Sequence, residues 1–181
     1  MSAPISAGDE RKTTLLRERA TRLAHRAEEH EQAGTVIDLV EFQLAQERYA
    51  FESIHINEVY PLHHLTPGPC APVFVLGIIN VRGRILSIVD LKNFFDLPGR
   101  SLGELNKVII LQSGQMEMGI LADRVAGTLR LRLDQLQPAL PTMTGIREDY
   151  LKGIGPGQLV VLDAARIMAD KKLVIQEKVS A

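Results

Sequence analysis

Residues 77–91 read GIINVRGRILSIVDL: an asparagine, two arginines and two glycines set into a run that is otherwise apolar but for Ser87 and Asp90. A guanidinium on a tight turn, here that of Arg82, presents a planar fork of N–H donors that fits carboxylates and carbonyls. Two readings are open for it. Either the fork docks a partner, or Asn80 and Gly83 shape the backbone and Arg82 satisfies carbonyls of its own fold. The other reactive side chains form no recognisable constellation. His55, His63, His64 and Cys70 could be gathered on paper around zinc, but adjacent histidines ahead of a Pro-rich loop match no ligand spacing, and no metal is expected. Ser87 and Ser113 lack the GxSxG context of a hydrolase nucleophile, and residues 77–83 lack the lysine and spacing of a phosphate loop. Neither an enzyme nor a cofactor is expected.

Composition narrows the partners of such a turn. The chain has 181 residues, 45% of them hydrophobic, which is enough for a sizeable core. Its formal net charge of -1 gives no electrostatic reason to expect nucleic acid or an anionic membrane. A small-barrel nucleic-acid binder would need exposed aromatics beside basic residues, and only 4% of this chain is aromatic, with no tryptophan. The first residues lack the pattern of a secretory signal, and no run approaches the ~18 apolar residues of a membrane span. With a single cysteine as well, the expected compartment is the cytoplasm.

The elements that position the turn follow from periodicity. Residues 9–32 are rich in Arg, Glu, Ala and Leu without Pro or Gly, which predicts one helix with Leu16, Ala20, Leu23 and Ala27 along a narrow apolar stripe. That stripe packs on the chain's own body or against another chain. Beyond Gly34 the pattern turns to short strands. Val36–Leu44 and residues 49–51 flank the polar loop Ala45-Gln46-Glu47-Arg48, and residues 107–112 and 116–121 flank Ser113-Gly114-Gln115, which predicts two hairpins. The two stretches look duplicated. Gly77-Ile78 aligns with Gly153-Ile154, and Ile88-Val89-Asp90 with Val161-Leu162-Asp163, each aspartate standing where a helix N-cap belongs. Two copies of about 70 residues each are too small to stand alone and should share a core, with the short strands and Gly-rich turns suggesting small antiparallel barrels.

Tyr49-Ala50-Phe51, Ile56-Asn57-Glu58-Val59, Ala71-Pro72-Val73-Phe74, Gly77-Ile78-Ile79-Asn80-Val81-Arg82-Gly83, Ile88-Val89-Asp90-Leu91 and Tyr150-Leu151-Lys152-Gly153-Ile154-Gly155 together resemble the chemotaxis coupling family, CheW. The resemblance runs from about residue 36 to 168, in order and at the family's spacing. It implies a mainly β fold of two SH3-like five-stranded barrels on a shared core, to which this chain adds an N-terminal α-helix. The expected organisation is a helical extension over 1–34 and a CheW-like domain over 35–181, its intertwined halves roughly 36–105 and 106–170. The resemblance also implies a non-enzymatic adaptor that couples the cytoplasmic tip of chemoreceptors to the regulatory domain of a CheA-type histidine kinase, with other CheW-like domains as further partners. The other function considered is a nucleic-acid-binding or unrelated protein-interaction module. Asn80, Arg82 and Gly83 match the family's signature turn, and Ile56, Glu58 and Gly77 fall at its receptor-contact positions. Ile56 reads equally well as core. Three features depart from the family: Ala50 where glycine is common, Ser87 where proline is common, and the extension before Gly34, which suggests an output other than flagellar motility.

Overall fold

The run Val108-Ile109-Ile110-Leu111 lies on a strand buried on both faces, where alternate side chains serve two different cores. In the computed structural model, which describes residues 35–68, 71–98, 106–138 and 146–173, the described chain is mainly β. The strands are β1 (Val36–Leu44), β2 (Glu47–Glu52), β3 (Ile56–Pro61), β4 (Val75–Val81), β5 (Arg84–Val89), β6 (Lys107–Ser113), β7 (Met116–Ala122), β8 (Arg124–Arg132), β9 (Leu151–Gly155) and β10 (Leu159–Leu162). Three short α-helices accompany them among the described residues: α1 (Leu91–Phe94), α2 (Ile146–Asp149) and α3 (Ala164–Ala169). The helix expected over 9–32 lies outside the described residues.

The strands form two five-stranded sheets, in the order β8-β1-β2-β10-β9 and β3-β6-β7-β5-β4. Both expected hairpins, β1-β2 and β6-β7, are present, with tighter turns than their polar residues suggested. Leu44 pairs with Glu47 and Ser113 with Met116, so only two residues turn in each case. Ala45 and Gly114, at φ 55° and 60°, supply the positive φ that such turns require. Each sheet draws on both sequence copies. The β1-β2 hairpin of the first copy pairs antiparallel with β8 through β1 and parallel with β10 through β2; the β6-β7 hairpin of the second pairs antiparallel with β3 through β6 and parallel with β5 through β7.

Each sheet curls until its end strands meet, which makes it a barrel. In the second sheet Thr66, beyond β3, bridges Ile78 on β4: Ile78 N–H donates to the Thr66 carbonyl at 2.8 Å, and Thr66 N–H returns a bond at 2.9 Å. In the first, Gln137, beyond β8, bridges Ile154 on β9 with bonds of 2.9 and 2.8 Å. The repeated glycine sits beside the repeated bridge. A Cβ on Gly77 would lie 2.1 Å from the Thr66 carbonyl oxygen, and one on Gly153 3.0 Å from that of Gln137.

Three apolar clusters follow from strand alternation. Leu39, Ala50, Leu131, Leu159 and Val161 fill the first barrel; Ile79, Val81, Leu86, Ile88, Val108, Ile110 and Leu121 fill the second. The opposite faces of the same strands supply the shared core between the barrels, where Phe42 stacks on Phe51 at 5.0 Å and Ile109, Leu111, Val160 and Leu162 meet α1 and α3. Asp90 and Asp163 cap those helices, accepting from Lys92 N at 2.9 Å and Arg166 N at 3.0 Å. Lys92 on α1 is itself buried, its side chain only 2% exposed, and its ammonium pairs with Asp123. Asp123 also accepts from Ala45 N at 2.7 Å, so one carboxylate ties α1 to the β1-β2 turn. Among the described residues no helix is long and apolar enough to cross a membrane.

Candidate functional site

The inward rows of the second barrel end in charge. Leu86 and Ile88 on β5 point into its core, and Arg84 is in phase with them; Glu117 is in phase with Leu121 on β7. Glu58 pairs in register with Ile110 and precedes Tyr60, which packs against the same cluster. The side chains of Arg84, Glu117 and Glu58 therefore meet at one open end of the barrel. Arg84 Nη2 lies 2.9 Å from Glu58 Oε1, Arg84 Nη1 pairs with Glu117 Oε1, and Asn57 Nδ2 donates to that same oxygen at 2.7 Å. The carboxylates are the less accessible partners, with side chains 20% and 14% exposed. The network seals the mouth of the barrel with ion pairs instead of apolar side chains.

The β4-β5 turn stands over this mouth. Val81 pairs with Arg84, leaving Arg82 and Gly83 as a two-residue turn with φ of 52° and 86°, the combination of a type I′ hairpin turn. Asn80 Oδ1 accepts from Gly83 N at 2.8 Å and braces the turn. Gly83 takes its conformation without strain, but Arg82 holds a left-handed conformation that costs an L side chain about 1–2 kcal/mol. Its guanidinium reaches Glu58 Oε2 at 3.2 Å while the side chain stays 73% exposed. The fork thus meets its own barrel through a carboxylate, not the carbonyls considered from sequence, and most of it faces solvent.

Of the six residues expected at a docking site, the structure brings Glu58, Asn80, Arg82 and Gly83 together. The remaining two lie in packed positions. Ile56 is half-buried against the shared core, opposite Leu111, and Gly77 is buried beneath the backbone of Thr66 and Pro67. Sequence reasoning passed over Arg84, Glu117 and Asn57. The signal for the first two was a charged residue in phase with the inward, apolar positions of its strand.

The first barrel closes its mouth more simply. Arg48 donates to both oxygens of Glu41, at 2.7 and 3.0 Å, and its Nη1 reaches the Gly157 carbonyl at 3.3 Å. The hydrogen bonds from Arg48 hold the Glu41 carboxyl below its ordinary pKa.

Beside the β4-β5 turn, Tyr60, His63, His64, Ile78, Asn80 and Ile85 line a groove of about 340 Å³. Two of the four side chains once gathered on paper around zinc are here, while His55 stands 3.9 Å from Glu52 and Cys70 lies outside the described residues. Among the described residues no three His, Cys, Asp or Glu side chains are grouped to hold a metal ion.

The CheW-like domain family model matches residues 38–172. The chemotaxis protein CheW of Treponema pallidum is 32% identical over 142 residues, an alignment that covers 75% of this chain and 84% of the relative. That of Klebsiella aerogenes is 29% identical, covering 77% and 86%. Among solved structures, the scaffolding protein TtCheW from Thermoanaerobacter tengcongensis superposes with a TM-score of 0.64 at 27% identity, covering 71% of this chain and 84% of that one.

Proposed function

The chain belongs to the CheW family and is a chemotaxis adaptor, and from that premise we propose that the mouth of its second barrel is the surface through which it couples. The partners in this reading are the cytoplasmic tip of a chemoreceptor and the regulatory domain of a CheA-type kinase, met in the cytoplasm. The adaptor works by binding, without a catalytic step. Arg82 makes the contact in this reading, on the turn that Asn80 and Gly83 form, and Glu58 holds its guanidinium within the free protein, while Ile56 and Gly77 act by keeping the barrel in shape.

One observation carries this reading. Arg82 occupies a turn position that asparagine or glycine fills without strain, and it places an exposed guanidinium there. Strain retained at a surface position points to a use for the side chain. Its ion pair with Glu58 is no sufficient reason, since exposed pairs contribute about 0–1 kcal/mol, no more than the strain costs.

The test is receptor-dependent control of kinase activity in reconstituted arrays, with melting temperature measured on the same preparations. Arg82→Ala should change stability by under about 0.5 kcal/mol and abolish control. Arg82→Lys should restore control only in part, because an ammonium lacks the two-pronged fork. Wild-type binding to the kinase domain should be micromolar by calorimetry, roughly -8 kcal/mol. Full control by Arg82→Ala, or a large loss of its melting temperature, would exclude the docking role.

A further inference from the structure

Glu58 bridges two guanidiniums that are held very differently. Arg84 lies 2.9 Å from Oε1, and its other arm is fastened to Glu117, which Asn57 holds in turn. Arg82 lies 3.2 Å from Oε2 and makes no other ion pair among the described residues, on a side chain that is 73% exposed. We infer that Arg84 is a positioning residue: it keeps Glu58 paired so that Arg82 can leave and be handed to a carboxylate on the partner protein.

This inference rests on the reading of the barrel mouth as the coupling surface, and it follows from what departure would cost in each direction. A half-buried carboxylate stripped of its counter-ion pays a desolvation penalty that a retained counter-ion removes. With Arg84 in place, Glu58 keeps one charge-assisted bond when Arg82 swings away. Without Arg84, Arg82 becomes the counter-ion Glu58 depends on and is locked to it. Glu117 enters by fixing Arg84 on the side away from Glu58, so that Arg84 cannot follow Arg82 outward. The charge count then selects the partner. Two glutamates and two arginines balance at the mouth, and when Arg82 leaves, the plug carries one excess negative charge. An acidic group on the partner can hold the guanidinium outside against that pull by engaging both prongs of the fork.

The experiment measures binding of the cognate receptor's cytoplasmic fragment by calorimetry, with the Arg82 side-chain Nε–Hε signal followed by NMR in the absence of partner. Arg84→Gln should weaken binding about tenfold and slow exchange of the Arg82 proton. Adding Glu58→Gln in that background should free Arg82, restore fast exchange and recover affinity to within about threefold of wild type. A purely structural Arg84 would make the double variant worse than the single one. Melting curves accompany every variant, and if Arg84→Gln does not fold, Glu117→Gln loosens the same arginine from its other end and should weaken binding in the same direction. Wild-type binding that depends on Arg82, with no loss in Arg84→Gln or no recovery in the double variant, overturns this inference alone. Wild-type binding that does not depend on Arg82, or no binding at all, overturns the coupling-surface reading and the inference with it.

Discussion

Gly77→Ala separates barrel closure from docking more sharply than any other substitution. The residue sits at φ +144°, and a Cβ there would lie 2.1 Å from the Thr66 carbonyl oxygen and 2.8 Å from Pro67 Cα, both backbone atoms. No side chain can swing aside to make room. The strained conformation costs about 1–2 kcal/mol, and opening the Thr66–Ile78 bridge forfeits two hydrogen bonds at roughly 1 kcal/mol each. The expected loss is therefore about 3–4 kcal/mol, or roughly 10 °C in melting temperature for a domain of this size. Gly153→Ala is the matched control, because it occupies the equivalent place in the first barrel without a positive φ and with its closest contact at 3.0 Å. It should cost under about 1 kcal/mol. Calorimetric melts of both variants, with hydrogen exchange at the Ile78 amide, measure the difference. A Gly77→Ala protein that melts within about 2 °C of wild type, or a Gly153→Ala protein that is the worse of the two, would refute the steric account of closure. Normal stability with lost coupling would instead place Gly77 on the docking surface itself.

Lys92→Met should destabilise by about 2 kcal/mol in denaturant titrations, less than a fully buried pair would, because Asp123 keeps the Ala45 amide and some solvent. Arg82→Asn should melt at or slightly above the wild-type temperature while coupling fails, since asparagine tolerates the left-handed conformation and the lost pair is exposed. Arg48→Ala should cost up to about 1 kcal/mol near neutral pH by leaving Glu41 without its fork, because the pair is exposed. Arg48 lowers the Glu41 pKa, so the stability it contributes is fully present above the ordinary glutamate range and is lost as pH falls through the lower folded value; melts in acid should show the wild-type and Arg48→Ala proteins converging.

Local pattern made part of this fold legible before the structure. Asp90 and Asp163 announced their caps because a capping aspartate acts on amides two and three residues away. The two hairpins were visible because each pairs neighbouring segments across a short polar turn. The exchange of hairpins between copies was not, since alternation tells which face of β2 is buried but not that Tyr49 and Ala50 lie beside Val160 and Val161. Gly77 and Gly153 could be matched by eye, yet their purpose lies in Thr66 and Gln137, well upstream of each. At the site, Arg82 stood out as an arginine in a glycine-bearing turn. Arg84 and Glu117 did not, because a charged residue on a strand is usually a solvated one, and only their phase with Leu86 and Leu121 marks them as turned inward.

The two barrels differ in a way that favours the second as the proposed docking surface. Both must close a mouth where inward rows run out, and both do so with an arginine and carboxylate. In the first barrel, Arg48 is committed to both oxygens of Glu41 and to the Gly157 carbonyl, and the turn above carries Pro156, Gly157 and Gln158 with no second cation. Any change that made Arg48 bind a partner would open the mouth it closes. In the second barrel Arg84 holds Glu58 and Glu117 together, and a separate residue, Arg82, stands on the turn above. Sealing and contact are divided between two side chains there. Under the proposed docking role, substitutions at Arg82 would alter what the surface binds while the plug beneath stays paired, and that freedom suits an adaptor.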